Sequence, residues 1–208
     1  MLRMRSATAI IAMITLAVSA IAILFVGVER SAVFGGFIPA RLSGQLAIPG
    51  ALPAALTPWS SALLHGGWLH LLINMLMLAF VGSQVERVIR ASGLVFAYFL
   101  GALVASGTQF AVDPAGTVPM IGASGAISAL FGLYALFFGK PKQVTQNQRV
   151  NRWIHAFWVL AAWVIVQWMA GRLAGGEGIL LATPAHIGGF IAGMLLQRPL
   201  LLWRYRKA

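Results

Sequence analysis

The sequence predicts an all-α membrane protein, a bundle of six transmembrane helices forming one domain over residues 1–208. Three observations carry this expectation. Hydrophobic residues make up 60% of the chain and charged residues only 9%, where a soluble domain carries about 25% charged. Six apolar runs of near-spanning length lie at roughly 9–28, 62–82, 93–112, 120–139, 153–171 and 182–202, and about 20 such residues cross a hydrocarbon core roughly 30 Å thick. Helices are the natural reading of those runs, because they satisfy their backbone polar groups internally. The third observation is the placement of the basic residues. With the N-terminus inside, twelve of the 15 fall in cytoplasmic pieces: Arg3, Arg5, Arg87, Arg90, Lys140, Lys142, Arg149, Arg152, Arg198, Arg204, Arg206 and Lys207. Only Arg30, Arg41 and Arg172 fall outside. The positive-inside rule then orients the bundle with both termini cytoplasmic.

The first run follows a basic start, as a signal peptide would. It is longer than an ordinary signal core and has no small-x-small cleavage site before Glu29, so it reads as a retained span. The connection over 29–61 holds Pro39, Pro53 and Pro58 in an apolar Ala/Leu setting. That is too greasy for a solvated linker, and the segment is expected at or partly in the outer interface, where Trp59 and Trp68 would suit it. The second run brings His65, His70 and Asn74 at its outer end. The fourth carries Gly122-Ala123-Ser124-Gly125-Ala126, and the sixth opens with Ala185-His186. The net charge of +11 comes with no compact basic motif interleaved with aromatics, which argues against a nucleic-acid partner. The basic ends suit membrane lipids with anionic headgroups. No cysteine is present, which excludes disulfides and thiol catalysis.

Orientation converts these positions into depth. Runs four and six both run from outside to inside, and Ser124 and His186 each lie about four residues below the outer end. At 1.5 Å per residue both sit roughly 6 Å below the boundary, so side chains from separate helices can meet. His70 and Asn74 are four apart and share a face. Small-residue pairs, Gly122 with Ala126 and Gly189 with Gly193, let helix backbones approach closely in a membrane. A serine hydroxyl becomes a nucleophile when a histidine takes its proton. Amide attack makes an oxyanion that needs positioned donors, which His70, Asn74 and the Ser124 N–H can supply. The acids Glu29, Glu86, Asp113 and Glu177 all lie outside the runs, so a Ser–His dyad is expected rather than a triad. His65, five residues before His70 and next to Gly66-Gly67, reads as a structural residue at the helix entry that bonds loop backbone. Each feature also has a plain reading. A serine between glycines commonly serves helix packing, and a lone histidine near a helix end commonly sits at the interface. The four polar residues arriving at one depth carry the functional reading.

The motifs Gly122-Ala123-Ser124-Gly125, His65-xxxx-His70-xxx-Asn74 and Ala185-His186-Ile187-Gly188-Gly189-xxx-Gly193 resemble those of the rhomboid family of intramembrane serine proteases. The resemblance implies a bacterial-type six-span rhomboid-like core. Within it Ser124 would be the nucleophile and His186 the general base and acid. His70, Asn74 and the Ser124 amide would form the oxyanion site, with His65, Gly122, Gly125 and Gly189 supporting it. It implies transmembrane or membrane-anchored protein substrates and neither metal nor cofactor. It makes the 29–61 segment a membrane-lying loop and Glu86 a structural acid. Two positions depart from the family pattern. Many members place an aromatic one turn after the nucleophile, stacked on the histidine; here Ser128 stands there. The Trp-Arg pair common in the first loop is missing, with Trp59 alone near its place.

The connection over 172–183, with Gly175, Gly176 and Gly178, is expected to cover the site and move with the top of the fifth span. A shielded helix must open before it is cut, so helix-weakening residues near the cut and small residues at it are expected of substrates. Two alternatives belong to other classes: a non-proteolytic rhomboid-like membrane chaperone or trafficking factor, and a small transporter. The latter would carry polar residues deeper or paired broken helices. A compact chain with no transit-like presequence points to a bacterial inner membrane.

Overall fold

The structure, a computed structural model, describes residues 6–138, 142–173 (170–173 as backbone) and 182–206. The expected covering loop with Gly175, Gly176 and Gly178 lies outside them. Helices dominate. They are α1 (Ala7–Ile21), α2 (Val28–Gly35), α3 (Pro39–Leu42), α4 (Thr57–Ser60), α5 (Trp68–Met77), α6 (Ser83–Val112), α7 (Ser124–Phe137), α8 (Gln148–Leu173) and α9 (Thr183–Tyr205). A π-helical turn, Ala22–Val26, extends α1, and another, Leu78–Gly82, joins α5 to α6. Among the described residues the one β-type pairing is an isolated antiparallel bridge between Phe37 and Met120.

Three of the described helices are long and apolar enough to cross a membrane: Ala7–Val26, Trp68–Val112 and Thr183–Tyr205. Ser124–Phe137 is apolar but shorter. The second and third expected runs share one stretch of 45 residues, about 68 Å if straight, made of two helices that meet at a kink. It is not straight. Arg90 breaks it with φ 64 and ψ 175, a backbone conformation that L-residues seldom adopt. Contacts on either side fix the direction of the chain. Thr8 at the start of α1 donates to Glu86 (2.6 Å), and Arg204 near the end of α9 donates to the Arg87 carbonyl (3.1 Å). These mark one end of the bundle. At the other end Thr108 packs on Gly188 and His70 on Gly122. The chain thus runs from His70 to Glu86, reverses at Arg90, and returns to Thr108.

Helix α1 shows why its sequence docks as it does. Its lipid-like residues Ile10, Met13, Ile14 and Leu24 are exposed, while Thr8, Thr15 and Ser19 are fully buried. Ser6 caps its start by accepting from the Ala9 N–H (3.2 Å). The Glu86 carboxylate accepts from the N–H groups of Ala7 (2.8 Å) and Thr8 (3.0 Å) as well as the Thr8 hydroxyl. A helix N-terminus offers unpaired donors and positive potential, and the acid answers both. Glu86 is thus a structural acid in this fold. Gly82 lets α1 come close, since a β-carbon there would stand 2.8 Å from Thr8 Cγ2.

The core is the trio α6, α7 and α9, and small residues set its spacing. A β-carbon at Gly101 would stand 2.5 Å from Ala129 Cβ, and one at Gly193 would overlap the Ala129 carbonyl. Gly132 faces the Phe190 carbonyl in the same way. Small residues permit such close helix contacts. The 29–61 segment folds into α2, α3, α4 and short 3-10 turns at the Gly122 end of the bundle. Ser60 Oγ donates to the Gly35 carbonyl (2.6 Å). Trp59 Nε1 donates to the Phe99 carbonyl of α6 (3.0 Å), and Arg41 donates to the Leu52 carbonyl.

Candidate functional site

The site is built around the start of α7. The loop before it is held at three points: Phe37 and Met120 exchange backbone hydrogen bonds (2.9 and 2.8 Å), Gly122 N donates to the Ser61 carbonyl (2.9 Å), and Ala123 N donates to His65 Nε2 (3.4 Å). Gly122 has φ +125, a region closed to side chains. The helix begins at Ser124, four residues later than the run starting at 120 implies. The serine therefore sits on the helix's first turn and not a turn inside it. Intrahelical bonding starts with Ile127 N to the Ala123 carbonyl (2.9 Å). The N–H groups of Ser124, Gly125 and Ala126 fall among the first-turn donors that a helix leaves unpaired.

His186 is the fourth residue of α9, where the sequence places it. Its Nε2 lies 2.8 Å from Ser124 Oγ. Ser124 is 8% exposed and His186 4%, so the pair is shut away from bulk solvent. The glycines around it allow the approach. A β-carbon on Gly189 would overlap the Gly125 carbonyl, and one on Gly125 would stand 2.7 Å from Ala105 Cβ.

His70 reaches the same place from α5. A β-carbon at Gly122 would lie 2.9 Å from both Cε1 and Nε2 of its ring and 3.7 Å from Ser124 Oγ. The Gly66 N–H donates to His70 Nδ1 (3.3 Å). In a neutral ring that leaves Nε2, on the Gly122 side, to carry the proton. Asn74 is fully buried one turn further on. Its Nδ2 donates to the His70 carbonyl (3.0 Å), and its Oδ1 has no partner among the described residues. The structure thus brings Ser124, His186 and His70 together and attaches Asn74 through His70. An amide NH₂ carries two hydrogens, and the bond to the His70 carbonyl uses one.

His65 lies outside the helix, before Gly67. Its Nε2 accepts from Ala123 N–H, so Nδ1 carries the proton and donates to Ser19 Oγ (2.9 Å). Ser19 in turn donates to the Leu63 carbonyl (2.7 Å). This buried chain of bonds ties α1 to the turn before Ser124, and the ring packs edge-on against His70 at 5.0 Å.

Two residues here were not singled out by sequence reasoning for what they do. Ser128 Oγ donates to the Ser124 carbonyl (2.7 Å) and accepts from Trp163 Nε1 (2.7 Å). Trp163, on α8, is 2% exposed and meets the His186 ring edge-to-face at 6.5 Å. It also stacks on Phe131 at 4.4 Å. The available signal was a tryptophan in mid-span, where interfacial belts do not place one.

A cavity beside the pair is lined by Ser61, Ser106, Met120, Gly122, Ser124 and His186 among others. About 20 Å³ of it is open to the centre of a water molecule, room for one water. Among the described residues no group of three or more His, Cys, Asp or Glu side chains is arranged to hold a metal ion.

The rhomboid domain matches residues 55–203. The chain belongs to the rhomboid family. The matched range contains every site residue described above except Ser19 and Phe37. This rhomboid is also similar to RHOMBOID-like protein 5 of Arabidopsis thaliana, 30% identical over 140 residues. The alignment covers 67% of this chain and 42% of that protein, so the chain spans less than half the length of that relative.

Proposed function

We propose that this rhomboid is an intramembrane serine endopeptidase. Ser124 is the nucleophile and His186 the base that takes its proton and later returns it to the leaving amine. The observation that carries the reading is the 2.8 Å contact between Ser124 Oγ and His186 Nε2 in a buried site. His70 Nε2–H, the Ser124 N–H and the spare Asn74 amide hydrogen supply the oxyanion donors. The neighbouring cavity holds the hydrolytic water. Gly122, Gly125, Gly189 and His65 support the geometry without touching substrate. The protein crosses a bacterial inner membrane six times with both termini in the cytoplasm, and cuts transmembrane or membrane-anchored proteins near the outer face.

The test is cleavage by the purified chain in detergent. The wild type cuts a model transmembrane substrate that carries Gly or Pro near the scissile bond and spares a rigid poly-Leu span. Ser124→Ala and His186→Ala each lower turnover by about 10⁴-fold or more, the scale on which nucleophile and base losses act. Cleavage that survives either substitution refutes the dyad. A member that only binds spans would capture the substrate and leave it intact.

A further inference from the structure

Residue 128 poses a physical problem that α8 answers. The His186 imidazole must present Nε2 to Ser124, yet the position one turn after the serine carries only a hydroxymethyl group. Trp163 fills the space beside it. Its ring meets that of His186 edge-to-face, with centroids 6.5 Å apart and planes at 70°, within the range of favourable T-shaped pairs. Its indole N–H is spent on Ser128 Oγ (2.7 Å), whose own proton goes to the Ser124 carbonyl (2.7 Å). That assignment is forced, because an indole only donates and a carbonyl only accepts. The tryptophan therefore touches the histidine with its ring and holds the serine's backbone through one hydroxyl. Phe131, stacked on its face at 4.4 Å, fixes the indole plane. Ser128 is fully buried and Trp163 nearly so, so water does not compete for these bonds.

We propose that Trp163 and Ser128 act together as positioning residues for the Ser124–His186 pair, with α8 supplying the aromatic support that α7 lacks. The inference rests on the protease reading of that pair. It makes two kinds of contribution separable. The ring holds His186, and the N–H to Oγ to carbonyl relay holds α8 in register with Ser124. Neither residue touches substrate, so their loss lowers kcat and leaves KM nearly unchanged.

The experiment compares full-length wild type with Trp163→Phe, Trp163→Leu, Ser128→Ala and the double variant Ser128→Ala/Trp163→Phe. Substrate cleavage and the rate of Ser124 labelling by a fluorophosphonate are both measured. Misplacing a reacting group by an ångström costs on the order of 100-fold. Trp163→Leu should lower kcat and labelling by about tenfold or more. Trp163→Phe, which keeps the ring, should lose only a few-fold and so largely restore what Leu removes. Ser128→Ala, which also loses the bond to the Ser124 carbonyl, should lose at least as much, and the double variant should be no worse than Ser128→Ala, because both substitutions break the same indole bond. Leu94→Ala, a fully buried truncation on α6, serves as the stability control; it should lower Tm without slowing labelling. Labelling by Trp163→Leu at the wild-type rate overturns this inference alone. So does a loss in Leu94→Ala equal to that in Trp163→Leu. A wild type that neither cleaves nor labels overturns the protease reading itself.

Discussion

At the scale of single residues, the geometry of the candidate site depends on residues that leave space as much as on its polar side chains. Gly122 has positive φ, and its missing β-carbon is where the His70 ring sits. Gly122→Ala would force the backbone out of a conformation costing about 1–3 kcal/mol for an L-residue and push the imidazole away. If His70 Nε2–H is an oxyanion donor, kcat should fall by about 100-fold, the scale of losing one such donor. Turnover assays at matched enzyme concentration check this, and activity within a few-fold of wild type would remove His70 from the oxyanion site. Ser124, His186, His70 and Asn74 were legible in the sequence because polar groups are costly in apolar runs. Trp163 was not, since an apolar run hides a tryptophan's N–H; only the fold shows that its partner is Ser128. The start of the fourth helix was placed about a turn too early. Hydropathy does not distinguish the apolar loop residues Met120 and Ile121 from helix, whereas Gly122 delays the helix start.

At the scale of elements, helix pairing is set by backbone contact. The α7–α9 crossing places Gly193 against the Ala129 carbonyl and Gly189 against the Gly125 carbonyl, on the face that carries His186. Gly193→Ala has no flexible side chain to displace. The helices must part, at a cost of about 1–3 kcal/mol for overpacking. Tm in detergent should drop and turnover should drop with it, because Ser124 and His186 stand on the two separating helices. A thermal melt superimposable on wild type would contradict this account of the crossing. The small-residue pairs were readable as a packing face from their spacing. Which carbonyl each glycine meets was not, because spacing on one helix does not specify the register of its partner. How the second and third runs meet was also hidden. The reversal at Arg90 uses a positive φ that no glycine, asparagine or proline announces.

At the scale of the whole molecule, α1 is tied to the bundle at both ends by polar contacts. Glu86 accepts at its start, and Ser19 meets His65 near its end. In apolar surroundings helices gain little from burying more hydrocarbon, so packing and hydrogen bonds carry the association. Glu86→Gln keeps the shape but replaces charge-assisted bonds, and should cost about 1–2 kcal/mol. Hydrogen exchange at the Ala7 and Thr8 amides should speed up accordingly, with a smaller loss of turnover transmitted through Ser19 and His65. Unchanged exchange at those amides would count against the carboxylate as the anchor of α1. The sequence by itself determined that the chain is helical and membrane-apolar, which polar residues stand in its apolar runs, and which family motifs it carries. It could do so because hydrophobicity, small-residue spacing and misplaced polar groups are local properties of the chain. The tertiary structure decided where the serine stands on its helix, which ring nitrogens face it, and that α8 supports the histidine. Those depend on distances between elements far apart in the chain, and composition and periodicity do not encode them.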